Sequence, residues 1–133
     1  MKITLDVNGI ARSTEASPGA SLMDVLRDTG HTSVKNGCDN GDCGSCAVLV
    51  DGRAVNACLV FAARSEGKEI TTLEGVATEG ALHALQSAML EAGAVQCGFC
   101  TPGIVMTAAE LLERNPDPTD REIDEAMAGN FCR

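Results

Sequence analysis

The chain has 133 residues, seven of them cysteine, a net charge of −9 and neither Trp nor Tyr. A nucleic-acid binder needs a basic face and aromatic stacking platforms, so that class is excluded. No apolar run reaches the length of a membrane span, and Met1-Lys2-Ile3-Thr4-Leu5-Asp6 lacks a signal peptide's apolar core and twin arginines. The expectation is a cytoplasmic protein with no membrane or nucleic-acid partner, its thiols serving metals and not disulfides.

Along the chain, Ile3, Leu5 and Val7 alternate with Lys2, Thr4 and Asp6, which predicts a strand, and Asn8-Gly9 is a hairpin turn signal. Ser21-Leu22-Met23-Asp24 opens a short helix with Leu22, Val25 and Leu26 on one face, ending near Gly30. The most informative segment follows: Asn36-Gly37-Cys38-Asp39-Asn40-Gly41-Asp42-Cys43-Gly44-Ser45-Cys46. With Cys58 it gives Cys38-x4-Cys43-x2-Cys46-x11-Cys58, the plant-type [2Fe–2S] ligand spacing. A tight loop can aim backbone N–H groups at a cluster only if some residues take φ > 0, which Gly37, Gly41 and Gly44 reach at little cost. Zinc is the alternative, but zinc knuckles present two separated Cys pairs, not three thiols in one loop and a single later one. Ala47–Val50 meets a second hairpin signal at Asp51-Gly52, Val55–Phe61 returns as a strand, and Ile70–Leu73 is a last short one. A few strands packed on one helix suit a β-grasp ferredoxin layout.

From about residue 76 the pattern is helical. Leu82, Leu85, Met89 and Ala92 share one face of a helix that stops near Gly93. Pro102 is tolerated in a first helical turn, and Ile104, Val105, Ala108, Leu111 and Leu112 form the next stripe, broken by Pro116 and Pro118. Thr119-Asp120-Arg121-Glu122 is a capping box, with Ile123, Ala126 and Met127 expected to face inward behind it. The acids from Glu110 to Glu125 make a solvated face, and Met23, Met89 and Met127 are core filler. A second, incomplete thiol set is Cys97-Gly98-Phe99-Cys100, then Cys132 after a gap of thirty-one residues. Alone, the Cys97/Cys100 pair could be thioredoxin-like, but that fold needs strand–helix–strand units and the flanks are helical. Helices can instead hold this pair at one helix start and return Cys132 beside it. His31 and His83 lack the spacing for Rieske-type ligation; His31 is expected in a loop and His83 at an exposed helix position. Phe99 and Phe131 flank cysteines and can shield iron from water. No catalytic grouping of Ser-His-Asp, Walker or H-E-x-x-H type is present.

The whole Cys38–Cys58 block, Gln96-Cys97-Gly98-Phe99-Cys100-Thr101-Pro102-Gly103, and Gly129-Asn130-Phe131-Cys132-Arg133 together resemble the small iron–sulfur subunit of the xanthine oxidase family of molybdenum hydroxylases. The resemblance spans nearly the whole chain. It implies an α+β fold: a ferredoxin-like β-grasp [2Fe–2S] domain over 1–75, then a helical-bundle [2Fe–2S] domain over 76–133. By that resemblance Cys38, Cys43, Cys46 and Cys58 ligate the cluster distal from molybdenum, Cys97, Cys100 and Cys132 ligate the nearer one, and Gln96 hydrogen-bonds the molybdopterin. The family pattern continues Cys-Arg-Cys, so the expectation is a sequence that stops one residue before an eighth cysteine. The implied role is non-catalytic electron transfer, from molybdopterin on a large subunit through two [2Fe–2S] clusters to FAD on a medium subunit. The implied assembly is a heterotrimer, single or doubled. The competing readings are a free ferredoxin-like carrier and a zinc-stabilised adaptor.

Overall fold

The structure is a computed structural model and describes residues 1–77 and 83–133. Strands β1 (Lys2–Val7) and β2 (Ile10–Glu15) pair antiparallel, with Val7 opposite Ile10 across a two-residue turn. Asn8 (φ 56°) and Gly9 (φ 77°) are both left-handed there, the turn whose twist matches that of paired strands. The same device recurs at Asp51 (φ 50°) and Gly52 (φ 77°), between β3 (Ala47–Val50) and β4 (Arg53–Asn56). Strand β5 (Glu69–Thr71) runs parallel to β1 and antiparallel to β3, completing a sheet of order β2-β1-β5-β3-β4.

Helix α1 (Leu22–Asp28) starts where the Ser21 hydroxyl accepts the Asp24 N–H at 3.1 Å. Its Leu22, Met23, Val25 and Leu26 form one core with Ile3, Leu5, Val7, Val48, Val50 and Ile70. Burying a side chain of this size contributes about 1.5–3 kcal/mol before entropy is counted, so this face decides the fold of the first half. A mixed sheet wrapped on one helix is the β-grasp arrangement, and with the helices that follow it makes the chain α+β.

Two strand expectations shift. The return strand does not run to Phe61: β4 ends at Asn56, and Ala57–Leu59 is a 3-10 turn. There the Asn56 side chain donates to the Gly41 carbonyl (3.0 Å) and the Ala57 N–H to the Cys46 carbonyl (3.3 Å). Those bonds turn the chain toward the cysteine loop. The last strand is Glu69–Thr71, since Leu73–Gly75 has closed into another 3-10 turn.

The second half contains, among the described residues, α2 (Ala84–Glu91), α3 (Thr101–Arg114) and α4 (Asp120–Met127). Leu82, assigned to the apolar face of the first of these, lies outside the described residues. His83, expected at an exposed helix position, is exposed and is the N-cap of α2. Its Nδ1 accepts the Leu85 N–H (3.2 Å) while Gln86 Oε1 accepts the His83 N–H (3.0 Å). Helix α3 packs on β3 and β4 with Val105, Met106 and Leu111 buried. Met106, outside the anticipated stripe, is fully buried because Gly103 lets that side of the helix close on the sheet half. The Thr119–Glu122 box forms as expected, at 3.3 Å and 2.8 Å. Ile123, expected inward, is 40% exposed, because the side of α4 turned toward α3 carries Glu122, Glu125 and Ala126. No helix among the described residues is long and apolar enough to cross a membrane.

Candidate metal centres

The cysteine loop, residues 37–46 between α1 and β3, is shaped by three left-handed residues, Asp39 (φ 63°), Gly41 (φ 83°) and Gly44 (φ 71°). Gly37 is not among them. Its requirement is space: a Cβ there would lie 2.8 Å from the Cys43 sulfur. Polar side chains stitch the loop, with Asn36 Nδ2 donating to Asp39 (3.1 Å) and the Asp42 N–H to Asn40 Oδ1 (3.3 Å). Backbone amides then point at sulfur. The Cys43 N–H donates to Cys38 Sγ and the Ser45 N–H to Cys43 Sγ, both at 3.4 Å.

This environment divides the thiols. Cys38 is lowered to about 7, first by the Asn40 backbone N–H and then by that of Cys43. Cys46, at the floor of the loop, is raised to about 12, first by burial, with the neighbouring Cys58 and Cys43 adding to it. Cys38 lies beside Cys43, and Cys46 beside both Cys58 and Cys43, so the four thiols are gathered at one place. Four gathered thiols suit a two-iron cluster, in which each iron takes two thiolates.

The second set is built by helices. Gly98 (φ 82°) reverses the chain between Cys97 and Cys100, and Cys100 is the N-cap of α3. The α3–α4 hairpin then brings Cys132 back. The Cys100 thiol is pushed up first by a hydrogen bond with Cys132 and next by burial, so the thirty-one-residue gap is closed in space. Cys97 and Cys132 are exposed and Cys100 half-buried, whereas Cys38, Cys43 and Cys58 are half-buried and Cys46 buried. All seven are free thiols. Gln96, directly before Cys97, is exposed. His31 contacts Thr29 Oγ1 (3.3 Å) and His83 caps α2, so both have local uses.

The halves meet at Gly44, a junction that local sequence patterns do not announce. A Cβ on Gly103 would lie 2.2 Å from the Gly44 carbonyl oxygen, and one on Gly44 would lie 2.3 Å from that of Gly129. Asn130 Nδ2 donates to the Gly44 carbonyl (3.2 Å), and the Phe131 N–H donates to the Cys43 carbonyl (2.9 Å). Gly103, Asn130 and Asn56 are therefore structural partners of the cysteine loop that sequence reasoning missed. Their only signal was adjacency to cysteine motifs, for Gly103 and Asn130, or a polar residue at the end of a strand, for Asn56.

A β-grasp half and a helical half, each gathering thiols beside a glycine-bearing loop, define a two-site iron–sulfur protein. Accordingly, a 2Fe-2S iron-sulfur cluster binding domain matches residues 5–73 and a [2Fe-2S] binding domain matches 72–133. The chain is 53% identical to the nicotinate dehydrogenase small FeS subunit of Eubacterium barkeri, over 98% of this chain and 84% of that one. It is 49% identical to the xanthine dehydrogenase iron-sulfur-binding subunit of Escherichia coli O157:H7, over the same shares. Quinoline 2-oxidoreductase from Pseudomonas putida 86 matches in structure with a TM-score of 0.97 and 42% identity, covering 100% of this chain and 83% of that one. The chain belongs to the small iron–sulfur subunits of the xanthine oxidase family of molybdenum hydroxylases, and is thus a subunit of an oxidoreductase.

Proposed function

We propose that this chain relays electrons within a molybdenum hydroxylase, from molybdopterin on a large subunit to FAD on a medium subunit. Bound [2Fe–2S] clusters supply the one-electron carriage. Cys97, Cys100 and Cys132 hold the cluster nearer molybdenum, and Cys38, Cys43, Cys46 and Cys58 hold the one nearer FAD. The domains are 1–75 and 76–133. The observation that carries this reading is the 2.9 Å bond from the Phe131 N–H to the Cys43 carbonyl. It joins the neighbour of one thiol set directly to a member of the other, as a relay needs and two independent metal sites do not.

The chain's residues divide the remaining work. The Cys43 amide donates to Cys38 Sγ, which favours that thiolate and so iron binding, and the Ser45 amide donates to Cys43 Sγ. Gln96, exposed beside Cys97, presents an amide that can both donate to and accept from a pterin. Phe99 and Phe131 leave an apolar rim around the exposed second set, which a large subunit would cover. Leu59 and Phe61 do the same beside Cys58, on the side assigned to the flavin subunit. The assembly is a heterotrimer, single or doubled, in the reducing cytoplasm that seven free thiols suit.

The test is iron and acid-labile sulfide per chain, paired with an EPR spectrum after dithionite reduction. Four irons and two distinct signals are expected, and because a [2Fe–2S] cluster takes four ligands, a filled second site also reports a fourth ligand besides Cys97, Cys100 and Cys132. Two irons and one signal would confine the relay to the Cys38–Cys58 cluster. A colourless protein holding zinc would overturn the reading.

A further inference from the structure

Phe99 stands between Cys97 and Cys100, and its sequence position assigns it to the second site. Its ring also reaches the first. A Cβ built on Gly37 would lie 3.4 Å from Phe99 Cε1 and 2.8 Å from the Cys43 sulfur. The ring edge and that sulfur therefore flank one point on the Gly37 backbone, across the junction between the halves. Gly37 has no side chain to fill the space, and its φ is not left-handed, so close approach is the reason for glycine here.

We propose that Phe99 is a positioning residue of the first site: its ring keeps water from the Cys43 side of the Cys38/Cys43/Cys46/Cys58 set and so lowers the reduction potential of the cluster held there. This rests on reading that set as a [2Fe–2S] site. Reduction adds one negative charge, and water hydrogen-bonded to a ligand sulfur stabilises that charge, whereas an apolar ring edge does not. The Ser45 N–H already donates to Cys43 Sγ, and the Cys43 carbonyl takes the Phe131 N–H, so the second cysteine block is held against this residue. Core packing does not account for the ring, which remains 45% exposed.

The experiment is an EPR-monitored redox titration of the full chain with its clusters loaded, comparing wild type, F99A and F99L. The first-site signal is the one that persists in C97S. Its midpoint potential is expected to rise in F99A and to stay at the wild-type value in F99L, which keeps the apolar bulk. Couplings to exchangeable deuterons at that signal, measured in D2O, are expected to grow in F99A alone. An unmoved first-site potential in F99A overturns the proposal, whether or not the second-site potential shifts. If F99A does not retain iron, F99Q is titrated instead, with a rise expected and no change again overturning it. Failure of the underlying reading is distinguishable, because wild type itself would then lack a first-site signal.

Discussion

The two halves of the chain reach order by different routes. The sheet half closes a continuous core between one face of β1, β3 and β5 and the inner side of α1, and its cysteine loop is seated on that core through the buried Cys46. The helical half has no comparable interior. Among the described residues its buried side chains all belong to α3, which lies on the sheet, while α2 and α4 bury none. Its thiols are correspondingly the more exposed. A half of this size buries too little surface to be stable on apolar contact alone. The second site is therefore ordered by three supports: the sheet beneath α3, the metal, and whatever covers its open rim. The first site rests on its own core and metal, with Asn130 and Phe131 of the helical half bonded to its loop.

Removing iron breaks this comparison most completely. Ligation energy is folding energy in small metal-bound domains. Chelated chain should lose most amide-exchange protection in α2 and α4 while β1, β3, β5 and α1 keep theirs. Equal protection of α4 with and without iron would show that the helical half stands alone.

The next largest effect is at the junction. In G103A the new Cβ would meet the Gly44 carbonyl at 2.2 Å, backbone against backbone, so neither side can yield cheaply. Overpacking of this kind costs about 1–3 kcal/mol, and it should fall on the second site: loss of its EPR signal with the first-site signal retained. G129A is the control, since a Cβ there meets nothing within 4 Å. Loss of both signals in G103A, or loss in both variants, would mean that the halves do not hold separately.

How much of this was legible in sequence follows from the range of each interaction. The hairpins at Asn8-Gly9 and Asp51-Gly52, the alternation of Ile3, Leu5 and Val7, and the Thr119–Glu122 box are set within a few residues, and all appear where the pattern puts them. Periodicity fails where a distant contact decides. Val55–Phe61 is apolar enough for a strand, but Asn56 and Ala57 bond back to the cysteine loop and end it. Met106 is buried because a glycine three residues earlier admits close approach to a loop some sixty residues away. Gly37 had the right identity for the wrong reason: close approach, where a turn was expected. Cysteine spacing carried the first site, but only the α3–α4 return could bring Cys132 to Cys100.

The rim of the second site offers a smaller effect that sharpens the contrast. If Gln96 meets the large subunit's pterin, Q96A removes about one neutral hydrogen bond, roughly 1 kcal/mol and about fivefold in Kd for assembly. Iron content should not change. An unaltered Kd would return Gln96 to a purely local role and leave the apolar rim as the whole of the docking surface.

The smallest effect tests whether α4 depends on its own first turn, as an element with no buried residue should. T119A removes the hydroxyl that accepts the Glu122 N–H, a loss of about 0.5 kcal/mol, the low end for an N-cap because the site is exposed. The Glu122 carboxylate acts at the same end. It is held below the usual carboxylate range, first by the Thr119 backbone N–H and then by the Thr119 hydroxyl. Its folded pKa is depressed, so its stabilisation is present above the unfolded value of about 4.3 and is lost as pH falls through the folded one. Exchange at the start of α4 should therefore quicken below about pH 4 in wild type, and E122Q should show much of that quickening already at neutral pH. The sheet core should be indifferent to both changes. A pH response equal in α4 and β1 would instead make the two halves a single cooperative unit, with the helical half sharing the core's stability after all.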